Sequence, residues 1–239
     1  MPNDLLMLTG LAASIGVLHT LSGPDHYLPF IAMARARGWG RAKTAWITGL
    51  CGVGHVGGSV ALGFLGIATA AGLARLVSIE SVRSDIAAWG LIAFGLVYGA
   101  WGLRRASRAK RHAHLHAHED GTAHVHTHSH TDRHVHVHAG DGGKPASITP
   151  WVLFTVFVFG PCEPLIPLLM YPAFEQSLFG LVWVIIVFGT VTIATMLAVV
   201  MLVLAGMHPF RHALLERYGH AVAGAAIFAC GFAVKFFGW

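Results

Sequence analysis

Near the start of the chain, His19-Thr20-Leu21-Ser22-Gly23-Pro24-Asp25-His26-Tyr27-Leu28-Pro29 sets two imidazoles and a carboxylate inside an otherwise apolar run from Leu5 to Met33. Imidazole nitrogens and carboxylate oxygens together suit borderline divalent cations. Such groups are costly in hydrocarbon unless a cavity, a partner or a cation receives them. Gly23-Pro24 breaks a helix beside them, because proline lacks an amide hydrogen and clashes with the preceding turn, while glycine has low helical propensity. The break frees backbone groups next to the ligands, as in the ion sites of many secondary transporters. A third imidazole, His55, stands among Gly52, Gly54, Gly57 and Gly58, small residues that let a neighbouring helix approach closely. A second polar break, Gly160-Pro161-Cys162-Glu163-Pro164, puts a thiol and a carboxylate into another apolar stretch. The candidate metal ligands are therefore His19, Asp25, His26, His55, Cys162 and Glu163. Two bland readings stand beside this one: His55 as a hydrogen bond between packed helices, and Cys162 as a small buried apolar group.

The elements that must position these residues follow from composition. The chain is 55% hydrophobic and 11% charged, where an ordinary soluble domain carries about 25% charged residues. Its mean hydropathy is +0.62. A polytopic membrane protein is expected, and six segments reach the roughly 20 residues that a bilayer crossing needs. They are the run before Arg35, Thr44 to Ala74, Ile86 to Leu103, Ile148 to Met170, Phe179 to Met207 and Tyr218 to Trp239. The first is long and interrupted at Ser22 to Pro24, which predicts two half-helices. Counted from Arg35, His26 lies about 13 Å deep; counted from Thr44, His55 lies about 16 Å deep. The two rings can share one level. A cleaved signal peptide is not expected, since the start lacks a basic region and an Ala-x-Ala site.

The net charge of +5 reads as topology and not as a nucleic-acid face. Arg35, Arg37, Arg41 and Lys43 follow the first segment, Arg104, Arg105, Arg108, Lys110 and Arg111 the third, and Arg211 and Arg217 the fifth. The alternate connections balance Arg75 and Arg83 against Glu80 and Asp85, or carry only Glu175. The positive-inside rule then places these basic connections in the cytoplasm and both termini outside, in the inner (plasma) membrane. Cys51, Cys162 and Cys230 all fall in apolar segments, which argues against a disulfide framework. Trp89, Tyr98 and Trp101 read as interface anchors and packing. Thr190, Thr192 and Thr195 read as hydroxyls bonded back to their own helix, and Lys235 as a lysine snorkelling to the interface.

Residues 104–147 form a low-complexity tract with eleven of the seventeen histidines: His112, His114, His116, His118, His124, His126, His128, His130, His134, His136 and His138. Alternation at period two can mimic a strand. The tract has almost no large apolar side chains to offset chain entropy, so a disordered cytoplasmic loop is expected. Imidazoles at this density make a many-geometry reservoir for Ni²⁺, Co²⁺, Cu²⁺ or Zn²⁺.

Laying Gly23 on Gly160 gives four identities over eleven positions, Gly23/Gly160, Pro24/Pro161, Leu28/Leu165 and Met33/Met170, and matches the polar pairs Asp25/Cys162 and His26/Glu163. Each copy opens a three-helix half, and three crossings per half put the copies in opposite orientations. The fold class expected is an all-α polytopic membrane protein of six transmembrane helices, built as two inverted three-helix repeats with broken first helices. Its parts are a first repeat over 1–103, the histidine loop over 104–147 and a second repeat over 148–239.

These residues resemble the nickel/cobalt transporter superfamily. A histidine followed by Asp-His in an early helix is matched by His19, Asp25 and His26, and a Gly-His in the next helix by Gly54-His55. A later Gly-x-Asp-Thr-x-Glu element is echoed by Gly160-Pro161-Cys162-Glu163. His-x-Leu-x-Gly-Pro-Asp-His is similar to the divergent urease-accessory or nickel-transport-like branch, and the Pro-Cys element with the histidine-rich loop to nickel/cobalt efflux proteins. The resemblance spans roughly residues 8–60 and 150–205 and implies transport of Ni²⁺ or Co²⁺, with Zn²⁺ and Mn²⁺ left open.

A secondary transporter and not an enzyme is thus expected, with the metal as cargo and no tightly bound cofactor. Its partners are the cation and the lipid bilayer, with no nucleic acid. No Walker motif is present, so ATP is not used by this chain itself. Metal must displace protons from imidazole ligands, which makes proton exchange a natural coupling. A flexible histidine tract on the loading side favours export. Two other readings remain: a metal-binding accessory protein for nickel-enzyme maturation, and a membrane thiol-disulfide carrier using Cys162 and Cys51.

Overall fold

The computed structural model describes residues 2–69, 73–108, 112–117, 123–128, 149–160, 162, 164–174, 177–207 and 213–237. Within them the fold is carried by α1 (Pro2–Ser22), α2 (Leu28–Arg37), α3 (Arg41–Ala68), α4 (Leu73–Arg108), α5 (Thr149–Phe159), α6 (Leu165–Phe174), α7 (Leu178–Gly206) and α8 (Ala213–Phe237). Five of these helices hold stretches long and apolar enough to cross a membrane: Leu5–Ser22, Arg41–Ala68, Ala74–Arg108, Leu178–Gly206 and Arg217–Phe237. Their outward faces carry Leu6, Leu18, Trp46, Val97, Leu178 and Leu202, each at least 66% exposed. A water-soluble fold rarely presents apolar surface on that scale.

Both breaks fall where glycine and proline predict them. Between α1 and α2 the chain makes a short 3₁₀ turn, Pro24–His26. The expected half-helices are unequal, however. With 21 residues, about 31 Å at helical rise, α1 is long enough to cross by itself, because nothing before Gly23 interrupts it. The shorter partner α2 has 10 residues and ends at Gly38, whose φ of 61° supplies the left-handed cap. The second break separates two short helices, α5 with 11 residues and α6 with 10.

The third segment departs from expectation. Arg75, Glu80, Arg83 and Asp85 were expected in a connection before a helix starting at Ile86, yet α4 runs unbroken for 36 residues from Leu73. No glycine or proline interrupts Leu73 to Trp89, and Glu80 and Arg83 neutralise one another one turn apart at 2.7 Å. Asp85 receives Lys235 Nζ at 2.6 Å, so that lysine meets a carboxylate at the end of the bundle.

A seam of small residues joins α4 to α8. Gly95, Gly99 and Gly102 face Gly224, Ala221 and the backbone around Phe228, so close that a Cβ on Gly102 would lie 2.5 Å from Ala221 N. Without a hydrophobic force between lipid-immersed helices, such close backbone approach is what holds them. At one end of the bundle the basic side chains close over helix termini. Arg35 Nη2 donates to Met207 O at 3.3 Å, Arg105 Nη1 to His220 Nε2 at 3.2 Å and Arg217 Nε to Ala106 O at 3.0 Å.

The buried apolar side chains form two clusters. One gathers Phe30, Met33, Leu153, Phe157, Met196 and Ile227; the other gathers Leu8, Ala12, Leu165, Leu169 and Phe188. Between α4 and α5, strands β1 (His112–Ala117) and β2 (Ala123–His128) pair antiparallel, with His112 opposite His128, His114 opposite His126 and His116 opposite His124. Over these residues a strand pair stands where composition predicted no regular structure, because period-two alternation fits a strand. His118, His130, His134, His136 and His138 lie outside the described residues.

Candidate metal centre

The first break turns its polar groups inward. Pro24 stops α1, Gly23 N closes its last turn on His19 O at 3.1 Å, and His26 N bonds to Gly23 O at 3.1 Å. A tight turn so placed brings His19, from the end of α1, against His26 two residues before α2. Their Nε2 atoms are 3.1 Å apart. Gly23 has no room for a side chain, since a Cβ there would lie 2.6 Å from His26 Nδ1 and 2.7 Å from Asp25 Oδ1.

His55 reaches the same point from α3. Its Nε2 lies 3.3 Å from His26 Nε2, so the two rings meet at one level as their depths predict. Its other edge turns toward the end of α5, where a Cβ on Gly160 would lie 3.0 Å from His55 Nδ1. The α3 glycines act as a slot for α5: a Cβ on Gly54 would strike Val158 and Phe154 at 2.8 and 2.9 Å. The cluster sits where the two apolar clusters meet, with His55 stacked edge-on to Phe157 and His19 over Phe188, each at 6.3 Å between ring centres.

Hydrogen bonding fixes which nitrogens are offered. His26 Nδ1 faces Gly23 O and Asp25 Oδ1, both at 3.1 Å. Both are acceptors, so Nδ1 carries the proton and donates, and the neutral ring presents a lone pair on Nε2. A carboxylate on the far nitrogen of a ligating histidine fixes its tautomer and orientation and raises its basicity. Asp25 therefore acts on His26, on the edge away from His19 and His55.

The second break supplies sulfur. Cys162, fully buried, sets its Sγ 3.8 Å from His19 Nε2. One ligand atom from each of His19, His55 and Cys162 falls within 4.8 Å of the others. A tetrahedral ion with metal–nitrogen bonds of about 2.0–2.1 Å separates its nitrogens by about 3.3–3.4 Å, and a thiolate at about 2.3 Å stands about 3.5–3.6 Å from each nitrogen. Two nitrogen pairs, His26 with His19 and with His55, stand at 3.1 and 3.3 Å, and Cys162 Sγ stands 3.8 Å from His19 Nε2, so these three spacings lie near that pattern. His26 and His55 are at most 2% exposed, so a cation held here is largely stripped of water.

Of the sequence candidates, the structure brings His19, His26, His55 and Cys162 together and places Asp25 behind His26. Glu163 lies outside the described residues. All three cysteines are free and buried; Cys51 packs in the cluster with Phe157, and Cys162 in the one with Phe188. Thr195 bonds back to Val191 O at 2.8 Å, Thr190 is exposed, and the buried hydroxyls of Thr192 and Thr48 have no hydrogen-bond partner among the described residues. A cavity of about 420 Å³ between α1 and α6 is lined by Met7, Leu8, Leu11, Ile15, Pro164, Pro167 and Leu168 and offers no imidazole, thiol or carboxylate.

Sequence reasoning missed Ser59, Glu80 and Arg83. Ser59 Oγ accepts from Cys162 N at 3.2 Å, and Arg83 reaches the carbonyl end of α5. The available signals were the four-residue step from His55 to Ser59, which keeps both on one face of α3, and the i,i+3 spacing of Glu80 and Arg83. Comparison with known proteins finds no matching family model, no matching curated protein and no matching solved structure.

Proposed function

We propose that this chain is a secondary transporter of divalent transition-metal cations, of the Ni²⁺ and Co²⁺ class, that carries its cargo between two broken helices. The observation that bears most weight is the convergence of three imidazole Nε2 atoms, 3.1 and 3.3 Å apart, with a buried thiol in reach. Nitrogen and sulfur donors favour borderline ions over Mg²⁺ and Ca²⁺. Asp25 and a Cys162 thiolate balance a divalent charge, which lowers the cost of holding it away from water.

An inverted repeat fits this chemistry. In the correspondence of α1 with α5, α2 with α6, α3 with α7 and α4 with α8, each broken helix packs on the long helix of the other half. Thr9 and Gly16 of α1 meet Trp183 and Thr192 of α7, and Phe154 and Val158 of α5 meet Gly54 and Gly58 of α3. The first helices run alongside these partners in the same direction, while α4 and α8 cross antiparallel. Six crossings then count α5 and α6 as one broken span. The basic end of the bundle faces the cytoplasm by the positive-inside rule, the histidine tract lies on that side, and export is the favoured direction.

The test is flux. Purified protein reconstituted in vesicles with an entrapped metal-sensitive dye is expected to admit Ni²⁺ or Co²⁺, and His55→Ala to abolish the signal. Tight binding without flux would assign the chain instead to metal storage or delivery.

A further inference from the structure

Arg83 sits on α4, but its guanidinium serves the second break. Nη2 donates to Val158 O at 2.8 Å and to Gly160 O at 3.4 Å. Nη1 donates to Glu80 Oε2 at 2.7 Å and to Ser59 Oγ at 3.2 Å. Ser59 Oγ in turn accepts the amide of Cys162 at 3.2 Å. One side chain thus ties α3 and α4 to the end of α5 and, through one hydroxyl, to the cysteine.

The physical need is plain. The last carbonyls of a helix lack amide partners and carry partial negative charge. At a break inside a membrane, water is not there to satisfy them. A planar guanidinium with five N–H donors can serve two carbonyls, a hydroxyl and a carboxylate at once, which a lysine ammonium cannot. Glu80, 1% exposed, offsets its charge. Gly58 leaves the path open: a Cβ there would lie 2.5 Å from Arg83 Nη2 and 2.7 Å from Val158 O.

We propose that Arg83 is the positioning residue of the metal centre, fixing the second break so that Cys162 Sγ stands 3.8 Å from His19 Nε2 and in one group with His55. This rests on reading His19, His26, His55 and Cys162 as that centre. The imidazoles are held by the first break and α3, without contact to Arg83. Loss of Arg83 therefore releases the sulfur and leaves the nitrogens.

Titration of the full-length protein in detergent with Co²⁺ tests this, because cobalt bound to thiolate has a near-ultraviolet charge-transfer band that cobalt bound to imidazole lacks. The unaltered chain is expected to show the band and Cys162→Ser to lose it. Arg83→Met is expected to lose it while still binding cobalt, about 10–100-fold more weakly, and Arg83→Lys to restore it in part. Arg83→Met with full band and affinity would overturn the proposal. Should Arg83→Met not fold, Ser59→Ala removes the hydroxyl that joins Arg83 to the Cys162 amide while leaving Arg83 on Glu80 and the α5 carbonyls, and an undiminished band there would overturn it equally. Failure of the unaltered chain to bind cobalt would remove the metal centre itself, a result distinct from binding without the sulfur band.

Discussion

His26 is the residue on which the candidate centre turns, since its Nε2 contacts both other imidazoles and its Nδ1 contacts a backbone carbonyl and Asp25. Asp25 has a role that differs from a ligand's. Replacing it with asparagine keeps the shape but removes the charge that orients and enriches the His26 lone pair. Asp25→Asn is expected to weaken Ni²⁺ binding about 10–100-fold with no loss of folded protein, read by calorimetric titration. An unchanged affinity would place Asp25 outside the working set.

At the scale of elements, glycine decides how closely helices approach, and each position can be assigned by what a Cβ would meet. On α3, Gly54 and Gly58 admit the end of α5, while Gly49 has nothing within 4 Å. On α4, Gly102 lies against the backbone of α8. Gly102→Ala must part the two helices and is expected to cost about 1–3 kcal/mol, lowering the thermal midpoint in detergent. Gly49→Ala in open space should leave the midpoint unchanged or raise it, as alanine favours a helix by up to about 1 kcal/mol over glycine. Equal effects of the two would mean that the α4–α8 seam is not held by close packing.

For the whole molecule, the proposed transport predicts that protons and metal compete for one site. Each imidazole binds metal only as a neutral ring, and Cys162 only as a thiolate, so protons and metal exclude one another. Affinity should fall as pH drops, and metal binding should release protons into weak buffer. Calorimetry in buffers of different ionisation enthalpy counts them. Binding that releases no protons would contradict ligation by a thiolate and neutral imidazoles. In vesicles the same exchange would appear as proton movement opposite to the metal.

Much of this was legible in the chain itself. Local backbone chemistry is written in single residues, so Gly23-Pro24 and Gly160-Pro161 located both breaks, and helical rise from Arg35 and Thr44 brought His26 and His55 to one depth. Composition marked the apolar helices. Charge alone misled at Glu80 and Arg83, because ionisable residues read as a connection until their partners are known, and those partners come from α3 and α5, 24 and 75 positions away from Arg83 at Ser59 and Val158. Which nitrogen each histidine offers, and that a buried thiol joins them, depended on how separate helices cross. Such packing rests on non-local fit between side chains that spacing along a sequence does not encode.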